Sequence, residues 1–286
     1  MLLRFRKLNI LVLLGFLSLE LTCFDASGAE ACQPGQKEAP AKSRGLYLGI
    51  FGGGGNSSNN NFTQTGTALY GDAKGGPLVV NAQGTANSNS TGIGGLHIGY
   101  EWAGWMMGGE GAKWGLLPAA EFEGYYLGTT QSGQLLNPTP RIQGHTFSDN
   151  FPINAGVLLT NALFSLRTPY LDTIFPYVGA GIGTAIVSIS DASSAQTNPA
   201  EPGINHFNSN PNSSNWGFAT QVKAGVRAEI IEHLSLFAEY RFLYISPTNY
   251  TFGSTVYSTH IATTPWNVNF GGMYYNMGAA GIEYSF

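Results

Sequence analysis

The stretch Met273-Tyr274-Tyr275-Asn276-Met277-Gly278-Ala279-Ala280-Gly281-Ile282-Glu283-Tyr284-Ser285-Phe286 decides the fold. Tyr274, Ala280, Ile282, Tyr284 and Phe286 fall in one largely apolar and aromatic row, interrupted by Asn276 and Gly278, while Glu283 and Ser285 fall on the other side. A period of two is the signature of a strand. A soluble protein buries such an aromatic edge, and no later segment offers a cover. The economical reading is that the row meets lipid and that the strand pairs sideways to close a barrel.

Composition agrees. Only 10% of the 286 residues are Asp, Glu, Lys or Arg, against about a quarter in an ordinary soluble domain. Glycine, at 39 residues, runs near twice its usual share, and aromatics reach 13%; Trp and Tyr favour membrane interfaces. Arg4, Arg6 and Lys7 precede an apolar stretch from Leu8 to Leu19, and Ser27-Gly28-Ala29 offers the small-x-Ala arrangement of a signal peptidase site. Residues 1–29 therefore read as a signal peptide, 30–43 as a flexible periplasmic arm with Pro34, Gly35 and Pro40, and 44–286 as one barrel. The leader's apolar stretch is too short to span a bilayer as a helix, which takes roughly 20 residues, and no later segment reaches that length without polar interruption. Export combined with lipid-facing strands implies the bacterial outer membrane.

Cys23 is expected to leave with the leader, which leaves Cys32 without an internal disulfide partner. Lipidation at either cysteine is disfavoured by the acidic Glu20 and Glu30 just upstream. Removing Arg4, Arg6, Lys7, Glu20 and Asp25 leaves a net charge of about −5, which carries no electrostatic footprint for nucleic acid.

Eight strands follow. The first is 44–53, and the second, 91–102, places Leu96, Ile98, Tyr100 and Trp102 outward with His97, Gly99 and Glu101 inward. The third, 116–128, turns Ala120, Phe122 and Tyr126 out and Glu121, Glu123 and Tyr125 in. The fourth, 151–166, carries Ile153, Ala155, Val157, Leu159 and Leu163 on one face. The fifth, 174–190, has alternate glycines at 179, 181 and 183, which suit a crowded interior or a sharply curved wall. The sixth and seventh form a hairpin around Glu232-His233, with Trp216, Phe218, Val222, Val226 and Ile230, then Leu234, Leu236, Ala238, Tyr240, Phe242 and Tyr244, outward. Met273–Phe286 is the eighth. Segments 55–90, 129–150, 191–215 and 247–272 are rich in Asn, Ser, Thr, Gly and Pro and read as four long exposed loops. Long connections after odd strands and shorter ones after even strands match external loops and periplasmic turns, with both termini periplasmic.

The run Pro176 to Gly183, Ala224-Gly225-Val226-Arg227 with Leu234-Ser235-Leu236-Phe237-Ala238-Glu239-Tyr240-Arg241, and the closing Gly281-Ile282-Glu283-Tyr284-Ser285-Phe286 resemble the small outer-membrane β-barrel family of opacity-type proteins and OmpA-type barrel domains. The resemblance covers about residues 44 to 286. It implies an all-β, eight-stranded antiparallel up-and-down barrel with four long external loops. It also implies insertion by the outer-membrane assembly machinery through a terminal aromatic signal, here Tyr284 and Phe286. Unlike the larger relatives, no peptidoglycan-binding domain is expected after Phe286.

On this reading the interior holds His97, Glu101, Glu121, Glu123, Lys223, Arg227, Glu229, Glu239, Arg241 and Glu283. An eight-stranded barrel is only wide enough for side chains to fill. These charges are therefore expected to pair as a polar plug, because an unpaired charge in a narrow dry space is costly. A narrow channel for ions or small solutes is the alternative. A lipid A-modifying enzyme is a second: His233-Leu234-Ser235 with Glu239 or Glu283 offers the parts of a nucleophile and base, similar to the His-x-Ser of lipid A deacylases, but in a periplasmic turn. His145, Ser148, Asp149 and His206 lie on loops that could assemble externally. Gly52 to Gly55 lacks the lysine and helix of a phosphate loop, and the scattered His and carboxylates lack metal-ligand spacing. No cofactor or metal is expected. The expected role is a structural or surface-interaction barrel, in contact with outer-membrane lipid, that meets host or surface ligands through Phe62, Tyr70, Phe207, Tyr250, Tyr257 and Trp266.

Overall fold

The computed structural model describes residues 43–107, 114–139, 141 and 144–286. The expected signal peptide, the arm up to residue 42, both cysteines and the glycines at 108, 109 and 111 lie outside the described residues. Fourteen strands are present among the described residues: β1 (Gly45–Ser57), β2 (Asn60–Ala68), β3 (Leu78–Ala86), β4 (Ser90–Glu101), β5 (Trp105–Met107), β6 (Trp114–Asn137), β7 (His145–Arg167), β8 (Ile174–Ile189), β9 (Ser193–Asn198), β10 (Ser213–Ile231), β11 (Leu234–Ile245), β12 (Thr248–Phe252), β13 (Trp266–Phe270) and β14 (Met273–Ser285).

Eight of them close a ring, β1-β4-β6-β7-β8-β10-β11-β14, in which every pairing is antiparallel. Closure falls on the stretch quoted first. β14 pairs on one side with β11, from Leu234↔Tyr284 to Ile245↔Met273, and on the other with β1, from Tyr47↔Ser285 to Ser57↔Tyr275. The backbone N–H of Phe286 adds a last bond to the carbonyl of Leu46, at 3.0 Å. A closed ring leaves no unpaired edge.

Alternation along the ring strands sorts the side chains as their period requires. Leu48, Ile50, Leu96, Phe122, Val222, Ile282 and Tyr284 face outward and build an apolar belt, while Tyr47, Phe51, Tyr125, Tyr275 and Met277 are buried inside. One face that the sequence leaves open is fixed, and one expectation is corrected. The row Ile153, Ala155, Val157, Leu159 and Leu163 on β7 is the inward row, and the belt is made there by Leu158 and Phe164. Both faces of β7 are apolar, so its hydrophobic pattern alone does not choose between them. Glu229 is exposed, because the irregular pairing between Glu229 and Ile231 ends the alternation just before the turn.

The four long segments are not open loops. β6 and β7 stay paired from Gly115↔Arg167 to Asn137↔His145, well past the roughly 9–11 residues that cross a bilayer. β2 and β3 make a hairpin whose β3 docks on this extension through Gln83↔Leu136 to Ala86↔Gly133. β13 and then β12 add to β2, and β9 adds to β7 through Thr146 to Asn150. The result is a folded cap over one end of the ring. Its inward side chains continue the core of the barrel's upper half as one apolar cluster that runs from Phe51 and Ile93 to Phe207, Trp266 and Phe270.

The alternate glycines of β8 have a packing cause. A Cβ on Gly181 would stand 1.8 Å from Asn161 Oδ1, and one on Gly183 1.9 Å from the carbonyl oxygen of Leu158. The inner wall is thinned at Gly181 so that Asn161 can reach across the lumen. Gly181→Val is expected to cost about 1–3 kcal/mol through overpacking, whereas Ala180→Val on the outer belt stays within about 0.5 kcal/mol. Urea unfolding of the refolded protein in lipid vesicles measures the difference.

Candidate functional site

The half of the lumen nearer Phe286 is an ionic network. Burying a charge is costly unless it is paired and hydrogen-bonded, and here each carboxylate meets a cation. Lys223 Nζ bonds Glu121 and lies 3.3 Å from Glu123 Oε2 and 3.9 Å from Glu239. The Arg241 guanidinium lies 3.2 Å from Glu123 Oε2, and its Nε donates to Glu239 Oε1 at 2.6 Å. Arg227 donates to Glu101 at 3.0 Å. Arg44 bonds Glu283 and approaches Glu101 at 3.4 Å, and His97 Nε2 lies 3.1 Å from Glu283.

Neutral donors saturate the remaining oxygens. Tyr177 donates to Glu239 at 2.8 Å, Tyr47 to Glu121 at 3.2 Å, Asn161 to Glu121 at 3.1 Å and Ser165 to Glu101 at 3.2 Å. Aromatic faces shield the cations: the guanidinium carbon of Arg44 lies 3.4 Å from the Tyr47 ring centre, and that of Arg241 3.9 Å from Phe51. Five carboxylates thus face four permanent cations and one imidazole. The gap beside Lys223 and Glu239 measures about 10 Å³, at the lower limit for a single water. Above it Ile93, Leu127, Val157, Val187 and Leu243 fill the lumen.

Nine of the ten residues expected inside are buried there, Glu229 being the exception. The sequence reading missed Arg44, which its periodicity set at the strand's first residue, and the polar partners Tyr47, Asn161, Ser165 and Tyr177. For the four partners the signal available was position alone, since each sits on the inward row of its strand; Arg44 has the parity of the outward Leu46 and Leu48 and enters the lumen from just before β1, ahead of the left-handed Gly45.

Of the six loop aromatics expected at the surface, Phe62, Phe207, Tyr250 and Trp266 are buried, and Tyr70 and Tyr257 are half-buried. Their rings pack on one another: Phe207 stacks on Phe252 at 4.6 Å between centroids, and Phe62 on Phe270 at 5.6 Å. Trp266 Nε1 donates to Thr255 at 3.1 Å. Once β2, β3, β12 and β13 pair, these rings share the inner face of a sheet, and burying them is worth more than exposing them. The outer face of the same sheet carries Asn81, Gln83 and Thr85, Asn61, Asn267 and Asn269, and Asn249 and Thr251 as cross-strand neighbours. It is uncharged, and some of its side chains bond across strands, as Thr251 does to Asn267 at 2.8 Å.

The candidate hydrolytic parts do not assemble. His233 holds a left-handed conformation, φ 69°, in the turn, and its Nδ1 meets the Ser285 carbonyl at 2.8 Å. Ser235 points into the lumen. His145 and Asp149 share the inward face of β7, and Ser148 lies on the opposite face. By contrast Glu201, His206 and His260 come together in the cap, a grouping that the sequence spacing did not suggest.

Asp149 lies outside the apolar belt, buried against β9, and its carboxyl oxygens find no hydrogen-bond partner of normal geometry among the described residues. Burial, offset in part by the Ser194 hydroxyl, raises its pKa to about 8. The folded cap therefore retains a proton that the unfolded segment releases near the ordinary carboxylate value, and this group's contribution to cap stability falls as pH rises from about 4 to about 8.

No protein-family model matches the sequence, and no curated protein matches it. Among solved structures the chain is similar to the outer membrane protease OmpT from Escherichia coli, with TM-score 0.37 and 10% identity, covering 83% of this chain and 97% of that one. It is similar to Neisserial surface protein A (NspA), with TM-score 0.33 and 13% identity over 86% and 100%, and to the outer membrane protein OprG from Pseudomonas aeruginosa, with TM-score 0.39 and 14% identity over 85% and 97%.

Two measurements check these features. Lys223→Met leaves Glu121 without its permanent cation and Glu123 with Arg241 alone, and is expected to cost about 3–5 kcal/mol in urea unfolding, part of it recovered by adding Glu121→Gln. Asp149→Asn is expected to lower the ratio of proteinase K cleavage of the cap at pH 8 to that at pH 5, each normalised to a control substrate, because it removes this carboxyl's proton linkage.

Proposed function

We propose that the chain is a bacterial outer-membrane barrel, closed to solute flow, that presents its folded cap as a contact surface. The apolar belt and the edgeless ring support a bilayer setting, because hydrocarbon offers no partner for an open strand edge. Ser43 and Phe286, at the ends of the described residues, lie opposite the cap, so an outward cap leaves them periplasmic and leaves the exposed Tyr284 of β14 and Phe286 beyond it to be read by the assembly machinery.

The observation that carries the closed reading is the occupied lumen. A permeating ion would have to displace a paired carboxylate and cation, and then enter the apolar half above them. Neither step is favourable where the gap between the ion pairs holds a single water at most. The contact surface is the amide and hydroxyl face of β3, β2, β13 and β12, not the aromatic rings. Its chemistry suits a neutral, hydrogen-bonding partner such as a glycan rather than a charged or greasy one.

Planar bilayers containing the refolded protein are expected to show no steady single-channel current above the detergent background; such currents would overturn the closed reading. Cells displaying the chain are expected to bind neutral glycans, and Asn267→Lys with Asn249→Lys to reduce that binding at least tenfold. Equal binding by the double variant would remove this face as the contact surface.

A further inference from the structure

The cap brings together three donors that are far apart in the sequence. Glu201 and His206 lie on the segment after β9, and His260 lies between β12 and β13. Glu201 Oε2 is 3.6 Å from His206 Nε2 and 3.1 Å from His260 Nε2. One ligand atom from each of the three residues lies within 4.8 Å of the others.

The tautomers follow from what the other ring nitrogens touch. His206 Nδ1 is 3.0 Å from the carbonyl oxygen of Ser194, and His260 Nδ1 is 2.6 Å from that of Ile261. A carbonyl only accepts, so each Nδ1 carries a proton, and each Nε2 faces the Glu201 carboxylate. An Nε2 lone pair facing a carboxylate repels it unless a proton on that nitrogen or a metal ion held by both groups stands between them. A backbone carbonyl fixing the second nitrogen is also the usual support of a metal-bound histidine.

The donor separations agree with a small ion. Tetrahedral Zn²⁺ with bonds of about 2.0–2.1 Å sets its ligand atoms about 3.3 Å apart, and the two measured separations bracket that value. The His206 ring is held edge-on by Phe147, at 5.3 Å, and Trp266, at 5.7 Å. The cleft beside it is small, about 40 Å³, and His145 also lines it.

We propose that Glu201, His206 and His260 form a Zn²⁺ site outside the barrel, with the fourth position open to the cleft. Two imidazoles and one carboxylate suit Zn²⁺ over Mg²⁺ or Ca²⁺, which take mostly oxygen donors. The ion joins the segment after β9 to the segment after β12, and so clasps two parts of the cap that the β-ladders do not pair directly.

The test uses the full chain with Cys23→Ser and Cys32→Ser, refolded in detergent and stripped with chelator, and titrated with Zn²⁺ alone by calorimetry. One equivalent is expected to bind, Mg²⁺ and Ca²⁺ are expected not to compete at a hundredfold excess, and Co²⁺ is expected to give the strong visible bands of a tetrahedral site. His260→Ala is expected to weaken Zn²⁺ binding at least tenfold, and Glu201→Gln, at the more exposed side chain, to do the same. Folding of each variant is checked by its heat-modifiable migration on gels. Unchanged Zn²⁺ affinity in folded His260→Ala, or a Co²⁺ spectrum of octahedral aquo type, overturns the proposal.

Discussion

The rest of the structure depends on the pairing of β14 with β1, which closes the sheet. Until those strands meet, the sheet has two free edges, and neither an outside nor an inside is defined for any side chain. Closure satisfies the backbone of both strands and encloses a space of fixed width. Everything inward must then be arranged within that width, and everything outward must find an apolar partner.

Width explains the two tiers of the interior. Nearer Phe286, long ionic side chains meet across the lumen, and glycines at 49, 99 and 181 give way to His97, Tyr47 and Asn161 on neighbouring strands. Charges this close and this dry persist only as a complete set, which is why each carboxylate also receives a neutral donor or a second cation. Nearer the cap the inward rows turn apolar, and the barrel core merges with the cap core without a polar break. The ring and cap therefore share one hydrophobic interior, with charges sealed below it.

The cap alters what the polar segments do. Asn, Ser and Thr in long stretches suggest solvated loops, yet an antiparallel ladder needs only one apolar face and welcomes hydroxyls and amides on the other. The scattered aromatics Phe62, Tyr250, Phe252, Trp266 and Phe270 supply the apolar face, and the amide residues between them supply the wet one. The same folding sets Glu201 beside two histidines and leaves the Asp149 carboxyl buried without an ionic partner among the described residues.

The sequence by itself determined the strands of the ring, their number and antiparallel order, and the inward placement of His97, Glu101, Glu121, Glu123, Lys223, Arg227, Glu239, Arg241 and Glu283. These follow from a period of two, which the backbone imposes on every strand whatever surrounds it. Only the tertiary structure decided which face of the doubly apolar β7 turns inward, that Glu229 escapes to the surface at an irregular pairing, and that four loop aromatics are core. It also decided that Arg44 pairs with Glu283, and that His260 reaches Glu201, 59 residues away. Such contacts are fixed by the register between strands distant in the chain, and a register is a property of the closed ring that no local periodicity encodes.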